Sequence, residues 1–269
     1  MSSLSKPRRR GITAMIDFGP DSFGWTGPHG IEDVIGAAGD YIDFAKIYAL
    51  NALLMPEPVT KAVVARYRDA DIRPYAGGNL FEFAWRRRAM PEFISLMTRL
   101  GFPSLEISEN YVTLTPDERM RLFEDFSRHG IEVIYEFGRK SPTEPMSIDL
   151  LANIVAEVRG AGVGHIILEQ SELDLLVATD AEAYDKLNAL PWFADILIEA
   201  DPYRFPKQHV ELIDKLGPEV NLANIPPGQC LRLEGLRRGI GRAVDYSVLR
   251  LDDPVDLMGT LELPRIGLG

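Results

Sequence analysis

Short apolar runs recur along the chain at intervals of roughly 25–30 residues, the size of one strand-plus-helix unit. Eight of them read as strands: 12–17, 41–47, 72–76, 104–108, 132–137, 164–169, 195–200 and 219–224. Most are aliphatic or β-branched through their middle, the pattern of parallel strands covered on both faces. The segments between them carry helical spacing. In 57–70 the apolar positions are Val59, Val63, Val64 and Tyr67. Thr115-Pro116-Asp117-Glu118 supplies an N-cap, a proline at the first helical position and acids in the first turn, so a helix is predicted over 115–129, closed by Gly130. Another opens at Met146-Ser147-Ile148-Asp149 and runs to Gly160. Further helices are predicted near 30–38, 91–100, 181–189, 206–216 and 228–239. Strict alternation predicts an α/β fold of the (β/α)8 TIM-barrel class, with one domain over 11–250. A doubly wound open sheet is the competing arrangement. The Gly-x-Gly-x-x-Gly signature of a dinucleotide fold is absent after the first strand.

Acids and lysines sit where these strands end. The acids are Asp17, Glu106, Glu136, Glu169 and Glu199, with Glu82 just past a Gly-Gly turn, and the lysines are Lys46 and Lys140. In a barrel all strand ends open on one face, so these groups are expected to converge there. Carboxylates ringed around lysines suit a divalent cation and proton movement beside an anion. Asp17 precedes Gly19 and the long irregular stretch 18–30; it is either a cation ligand or a turn aspartate bonded to local amides. Lys46 faces an anion or forms a structural ion pair with Asp17 or Glu106. Gly77, Gly78 and Asn79 form a turn whose amides suit an oxyanion. Arg139 and Lys140 follow Glu136; arginine can clamp an anion and lysine can carry a proton, unless both are solvated loop cations. Asn221 and Asn224 are expected at the end of the last strand, where barrels often bind phosphate.

Composition narrows the partners. The 269 residues are 46% hydrophobic and 26% charged, enough for a sizeable core, and the net charge of −11 argues against nucleic-acid or anionic-membrane binding. No stretch approaches the roughly 20 apolar residues of a membrane span. The basic start, MSSLSKPRRR, leads straight into a strand with no signal-like apolar core, so 1–10 is expected to be a mobile arm and the location cytoplasmic. Arg8, Arg9 and Arg10 leave nucleic-acid contact by that arm as a minor alternative. The tail 251–269 is expected to pack on the barrel. One cysteine, Cys230, excludes an intrachain disulfide, and His29, His129, His165 and His209 show no ligand spacing. Any metal is therefore expected on oxygen ligands.

The motifs DYIDFAK around Lys46, GGNLFE at 77–82, LEIS at 105–108, Glu136 to Lys140, the strands ending at Glu169 and Glu199, and VNLANI followed by LRRG occur in order over most of 11–242. As a set they resemble the phosphosulfolactate synthase family. The resemblance implies a (β/α)8 barrel and Mg²⁺-dependent addition of sulfite to phosphoenolpyruvate. For that reaction Lys140 is expected as proton donor, Lys46 and Arg139 on the substrate's anionic groups, and the cation on some of Asp17, Glu106, Glu136, Glu169 and Glu199. The expected partners are a small anionic substrate and a second copy of the chain in a homo-oligomer. Departures fall in loops: 47–51 lacks the family's glycine- and Thr/Ser-containing segment, Gln170-Ser171 replaces a Gly-Arg pair, Ala200-Asp201-Pro202 replaces Ala-Pro, and Gln229 stands where an acid is common. Replacing an arginine by Ser171 removes a charged hydrogen bond worth roughly 1.5–3 kcal/mol. The alternatives are the same barrel acting on another enol or carboxylic acid, and a non-catalytic stress or scaffold relative. Both lysines and the acid ring speak against the last.

Overall fold

The computed structural model describes residues 6–250. The elements in order are β1 (Thr13–Asp17), α1 (Pro28–Ala38), β2 (Phe44–Ile47), α2 (Asn51–Leu54), α3 (Glu57–Asp69), β3 (Arg73–Ala76), α4 (Gly78–Arg86), α5 (Met90–Leu100), β4 (Ser104–Ile107) and α6 (Pro116–Arg128). They continue with β5 (Glu132–Phe137), α7 (Ile148–Gly160), β6 (His165–Leu168), α8 (Gln170–Thr179), α9 (Ala183–Asn188), β7 (Leu197–Glu199), α10 (Lys207–Leu216), β8 (Asn221–Ile225) and α11 (Pro227–Arg237). Every strand pairs in parallel with its neighbours in sequence, and β8 closes on β1. The fold is a (β/α)8 barrel; the open sheet is excluded.

Side-chain alternation sorts each strand into two faces. Ile12, Ala14, Phe44, Tyr75, Ile134, Ile167, Leu197 and Ala223 point inward and form a separate apolar plug inside the barrel. Met15, Ala45, Ile47, Leu105, Ile107, Ile198 and Leu222 point outward into the larger core between strands and helices. The helices start as their sequences dictate. At α6, Thr115 Oγ1 accepts from the Glu118 amide while the Glu118 carboxylate accepts from the Thr115 amide, a reciprocal cap. Ser147 caps α7. No helix among the described residues is long and apolar enough to cross a membrane.

Residues 6–10, expected as a free arm, are docked across the N-terminal end of the barrel. Lys6 donates to the carbonyls of Gly39 and Asp71. The Arg8 guanidinium is buried and bidentate on Asp43, at 2.9 and 2.6 Å. Arg10 pairs with Asp195 at 3.2 Å. Two of the three arginines considered for nucleic acid are thus already neutralised by carboxylates. Residues 1–5 and the tail 251–269 lie outside the described residues.

His209 on α10 is fully buried, its ring edge-on to Phe205 and neither nitrogen hydrogen-bonded. Burial, then Arg237 and Arg204, push its pKa down to about 4 from the ordinary 6.5. A depressed histidine contributes stability above the unfolded value that is lost as pH falls through the folded one. The protein is therefore expected to lose about 3 kcal/mol from this group between pH 6.5 and 4. Denaturant titrations at both pH values should show His209→Phe removing most of that dependence; an unchanged pH slope would reject the assignment.

Candidate active site

The inward register that builds the apolar plug continues one step further along several strands, and there it becomes charged. Lys46 follows Phe44, Glu106 follows Ser104, Glu136 follows Ile134, Glu169 follows Ile167 and Glu199 follows Leu197, each two residues on. All five are buried. Lys46 Nζ lies 2.9 Å from Glu106 Oε1, 3.6 Å from Glu136 Oε2 and 3.7 Å from Glu199 Oε1. Burial alone would lower the Lys46 pKa, but Glu106, Glu136 and Glu199 hold it well above its usual range. Lys140 reaches in from the loop after β5, its ammonium 3.5 Å from Glu169 Oε2 and its stem partly exposed. The net effect on Lys140, which the sequence leaves open, is upward: Glu199, Glu136 and Glu169 outweigh burial.

Four carboxylates and two ammonium groups sum to −2 if all are ionised. The protein resolves this excess on two acids. Burial, then Glu106, raises Glu136 well above the carboxylate range. Burial, then Glu199, raises Glu169 to about 7. Glu199 stays low because Lys46 and Lys140, with Glu169 and Asn224, outweigh its burial. Glu136, Glu169 and Glu199 offer oxygen atoms within 4.8 Å of one another. Glu169 Oε2 and Glu106 Oε2 are buried without a hydrogen-bond partner.

The remaining expectations divide. Asp17 shares the outward register of Thr13 and Met15, so its carboxylate leaves the ring and meets Tyr67 Oη of α3 at 2.7 Å, Thr26 Oγ1 and the Gly19 amide. It is a structural acid. Asn221 opens β8 instead of closing it, and accepts from the Ile12 amide at the opposite end of the barrel. Asn224 does reach the site, donating to Glu199 Oε1. Gly77 and Gly78 border the cavity, but their amides are engaged by the Ile47 carbonyl and by Glu106 Oε1, at 3.1 and 2.8 Å. A Cβ on Gly78 would lie 2.3 Å from Ser108 Oγ, so glycine is required for that close approach. Asn79 lines the same cavity. Arg139 is exposed on the rim, where its guanidinium donates to Thr113. Glu82 is buried away from the ring and accepts from Ser108 Oγ and the amides of Asn110 and Tyr111.

The sequence reading misses Asn110, whose Nδ2 donates to Glu136 Oε1 at 2.8 Å. It lies in the loop beyond β4, three residues past the end of the strand, where strand parity gives no signal. The cavity bordered by these groups measures about 30 Å³, and Tyr48 and Ala49 also line it. Tyr48 packs on Phe18, Phe18 on Phe23, and Phe23 on Tyr203, joining the loops after β1, β2 and β7. A larger hollow of about 220 Å³ lies at the far end of the barrel, beside Arg8, Asp43 and His165, away from this cluster.

Residues 2–242 match the model of the (2R)-phospho-3-sulfolactate synthase (ComA) family. The chain belongs to that family. It is 33% identical to the phosphosulfolactate synthase of Methanothermobacter thermautotrophicus over 246 residues, 87% of this chain and 91% of the relative. It is 32% identical to the Methanocaldococcus jannaschii phosphosulfolactate synthase over 239 residues, covering 86% and 92%, and 29% identical to the Bacillus subtilis one over 253 residues, covering 88% and 92%. It is an enzyme of the phosphosulfolactate synthase kind. Among solved structures, a putative dihydrodipicolinate synthetase from Pseudomonas aeruginosa superposes with a TM-score of 0.52 at 12% identity, over 90% of this chain and 79% of that one, which shows the shared barrel fold alone.

Asp17→Ala should separate the structural acid from the ring. It leaves two hydroxyls and an amide without an acceptor, at a cost of about 3 kcal/mol. Thermal and denaturant unfolding should register that loss, while Mn²⁺ affinity should stay within about twofold; a large fall in affinity would return Asp17 to the site.

Proposed function

We propose that this phosphosulfolactate synthase relative adds sulfite to phosphoenolpyruvate, giving phosphosulfolactate, with Mg²⁺ bound by the ring. The observation that carries the reading is the convergence of Lys46, Lys140 and four buried glutamates at the C-terminal end of the barrel. The donor set fits a hard cation: three carboxylates with neighbouring oxygens, a buried Glu169 Oε2 with no hydrogen bond, and an excess charge of two. Glu136, Glu169 and Glu199 would hold it. Bound there, Mg²⁺ would supply positive charge facing the substrate carboxylate as negative charge gathers on it.

The chain's own residues account for the rest. The sulfite sulfur lone pair forms a bond to the methylene carbon, and the alkene electrons move onto the carboxylate. The Lys140 ammonium then delivers its proton to the carbon bearing the phosphate, and regains one from solvent. Lys140 is protonated at neutral pH, the state a proton donor needs; the nearby glutamates hold that proton more firmly, so the negative charge developing on the substrate must draw it off. Lys46 is bound by three carboxylates, so its part is to hold the ring together. Arg139 on the rim meets the anionic substrate before the interior does.

Incubation with phosphoenolpyruvate and sulfite, with and without Mg²⁺, should yield phosphosulfolactate by mass spectrometry only when the cation is present. Absence of that product, with turnover of another enol acid, would move the reading to an altered substrate. Lys140→Ala should lower turnover by about 10²–10⁴-fold with a much smaller change in KM. Arg139→Ala should chiefly raise KM. Near-normal turnover in Lys140→Ala would remove this lysine from the mechanism.

Glu169 sets the pH dependence of cation uptake. Below about 7 it carries a proton that a cation must displace. Mn²⁺ is therefore expected to bind at least about tenfold more tightly at pH 8 than at pH 6, each displaced proton costing up to a factor of ten per pH unit and Glu136, also held toward its protonated form, adding to the rise. Calorimetry at the two values measures it, and equal affinities would contradict the role of Glu169.

A further inference from the structure

Two asparagines at the site behave alike although one lies in the loop after β4 and the other near the end of β8. Asn110 donates its Nδ2 proton to Glu136 Oε1, and Asn224 donates its own to Glu199 Oε1. In both, Oδ1 is buried with no hydrogen-bond partner, and both residues line the small cavity. A purely structural amide would have both ends satisfied, because an orphaned buried acceptor costs free energy. Each of these amides is satisfied on the side of its glutamate and open on the other.

Both are also held in place deliberately by the fold. Asn224 has a φ of +60°, in the left-handed region that asparagine tolerates better than most residues. That turn comes at the end of β8 and directs the amide toward Glu199. Asn110 is fixed through Glu82: one oxygen of that buried carboxylate accepts from the Asn110 amide at 2.9 Å, and the other from the Tyr111 amide at 2.7 Å. Ser108 Oγ donates to Glu82 as well. The acid just past the Gly-Gly turn thus acts on the ring through the loop that carries Asn110.

We infer that Asn110 and Asn224 are positioning residues for the cation: each occupies one oxygen of its glutamate, leaving the other to meet the ion, and each offers its open Oδ1 to a proton of the water around it. The inference rests on the cation reading above. Glu199 Oε1 already faces Asn224 and Lys46, so a cation would meet Glu199 through Oε2, with the Glu169 carboxyl that also bonds this carboxylate turning to the ion. For Glu136, Asn110 takes Oε1 while Oε2 stands 3.6 Å from Lys46, beyond a good hydrogen bond.

The test is Mn²⁺ binding to the full chain, followed by electron paramagnetic resonance without substrate, for wild type, Asn110→Ala, Asn224→Gly and Asn224→Asp. Glycine keeps the left-handed backbone and removes the amide; aspartate keeps the shape and cannot donate. All three variants are expected to bind Mn²⁺ about 10–100-fold more weakly, the usual effect of losing a group that orients a metal ligand. Thermal unfolding of the metal-free proteins shows that each variant is folded. Affinities within twofold of wild type overturn the inference, and a lowered unfolding temperature alongside them assigns the amides a structural role. A wild type that takes up no Mn²⁺ overturns the cation reading itself, and this inference with it.

Discussion

One buried ammonium group organises the catalytic end of this barrel. Lys46 lies in a water-poor interior with Glu106, Glu136 and Glu199 around it. A charge there is tolerable only if opposing charges come close enough to offset the lost hydration, and removing one partner would leave the others exposed to the same penalty. The surroundings meet that condition. Gly78 has no side chain, so its amide can bind Glu106 from behind. Asn110 and Asn224 brace Glu136 and Glu199 from the sides. The apolar plug beneath, with Phe44 two residues before Lys46, separates the ring from the far end of the barrel.

The ring is overcompensated: one lysine cannot balance four acids, and a second, Lys140, leaves two charges to spare. The protein places them on Glu136 and Glu169, both driven toward the protonated form, while Glu199 remains the firm anion between the two lysines. The same excess keeps Lys140 charged, so the protonation of both the acids and the second lysine depends on one set of carboxylates.

Much of this was readable from the residues alone, for a simple reason. Parallel strands covered on both faces are apolar throughout, so a charge at a strand end stands out, and Lys46, Glu106, Glu136, Glu169 and Glu199 were all found that way. Failures came where a shift of one residue reverses a side chain. Asp17 also ends a strand, but in the outward register, and it serves Tyr67 and Thr26. Asn221 fell at the wrong end because β8 begins two residues later than its apolar run suggests. Helix α8 was not predicted: its N-cap is Glu169, a member of the ring, in place of the Ser, Thr, Asp or Asn that usually announces a helix. The amides of Gly77 and Gly78 look open in sequence and are closed by internal acceptors in space. Arg8 looks like part of a loose basic arm until Asp43 is brought beside it.

The dimensions of the cavity limit what it holds as it stands. About 30 Å³ is room for little more than water. Tyr48 and Ala49 line it, and of the two lysines only Lys140 is partly exposed. Ala49 holds a φ of +42°, a posture alanine adopts at a cost, and the neighbouring Tyr48 ring is coupled through Phe18 and Phe23 to Tyr203. The loops after β2 and β7, far apart in sequence, thus share one aromatic clasp, which the loop after β1 supplies through Phe18 and Phe23.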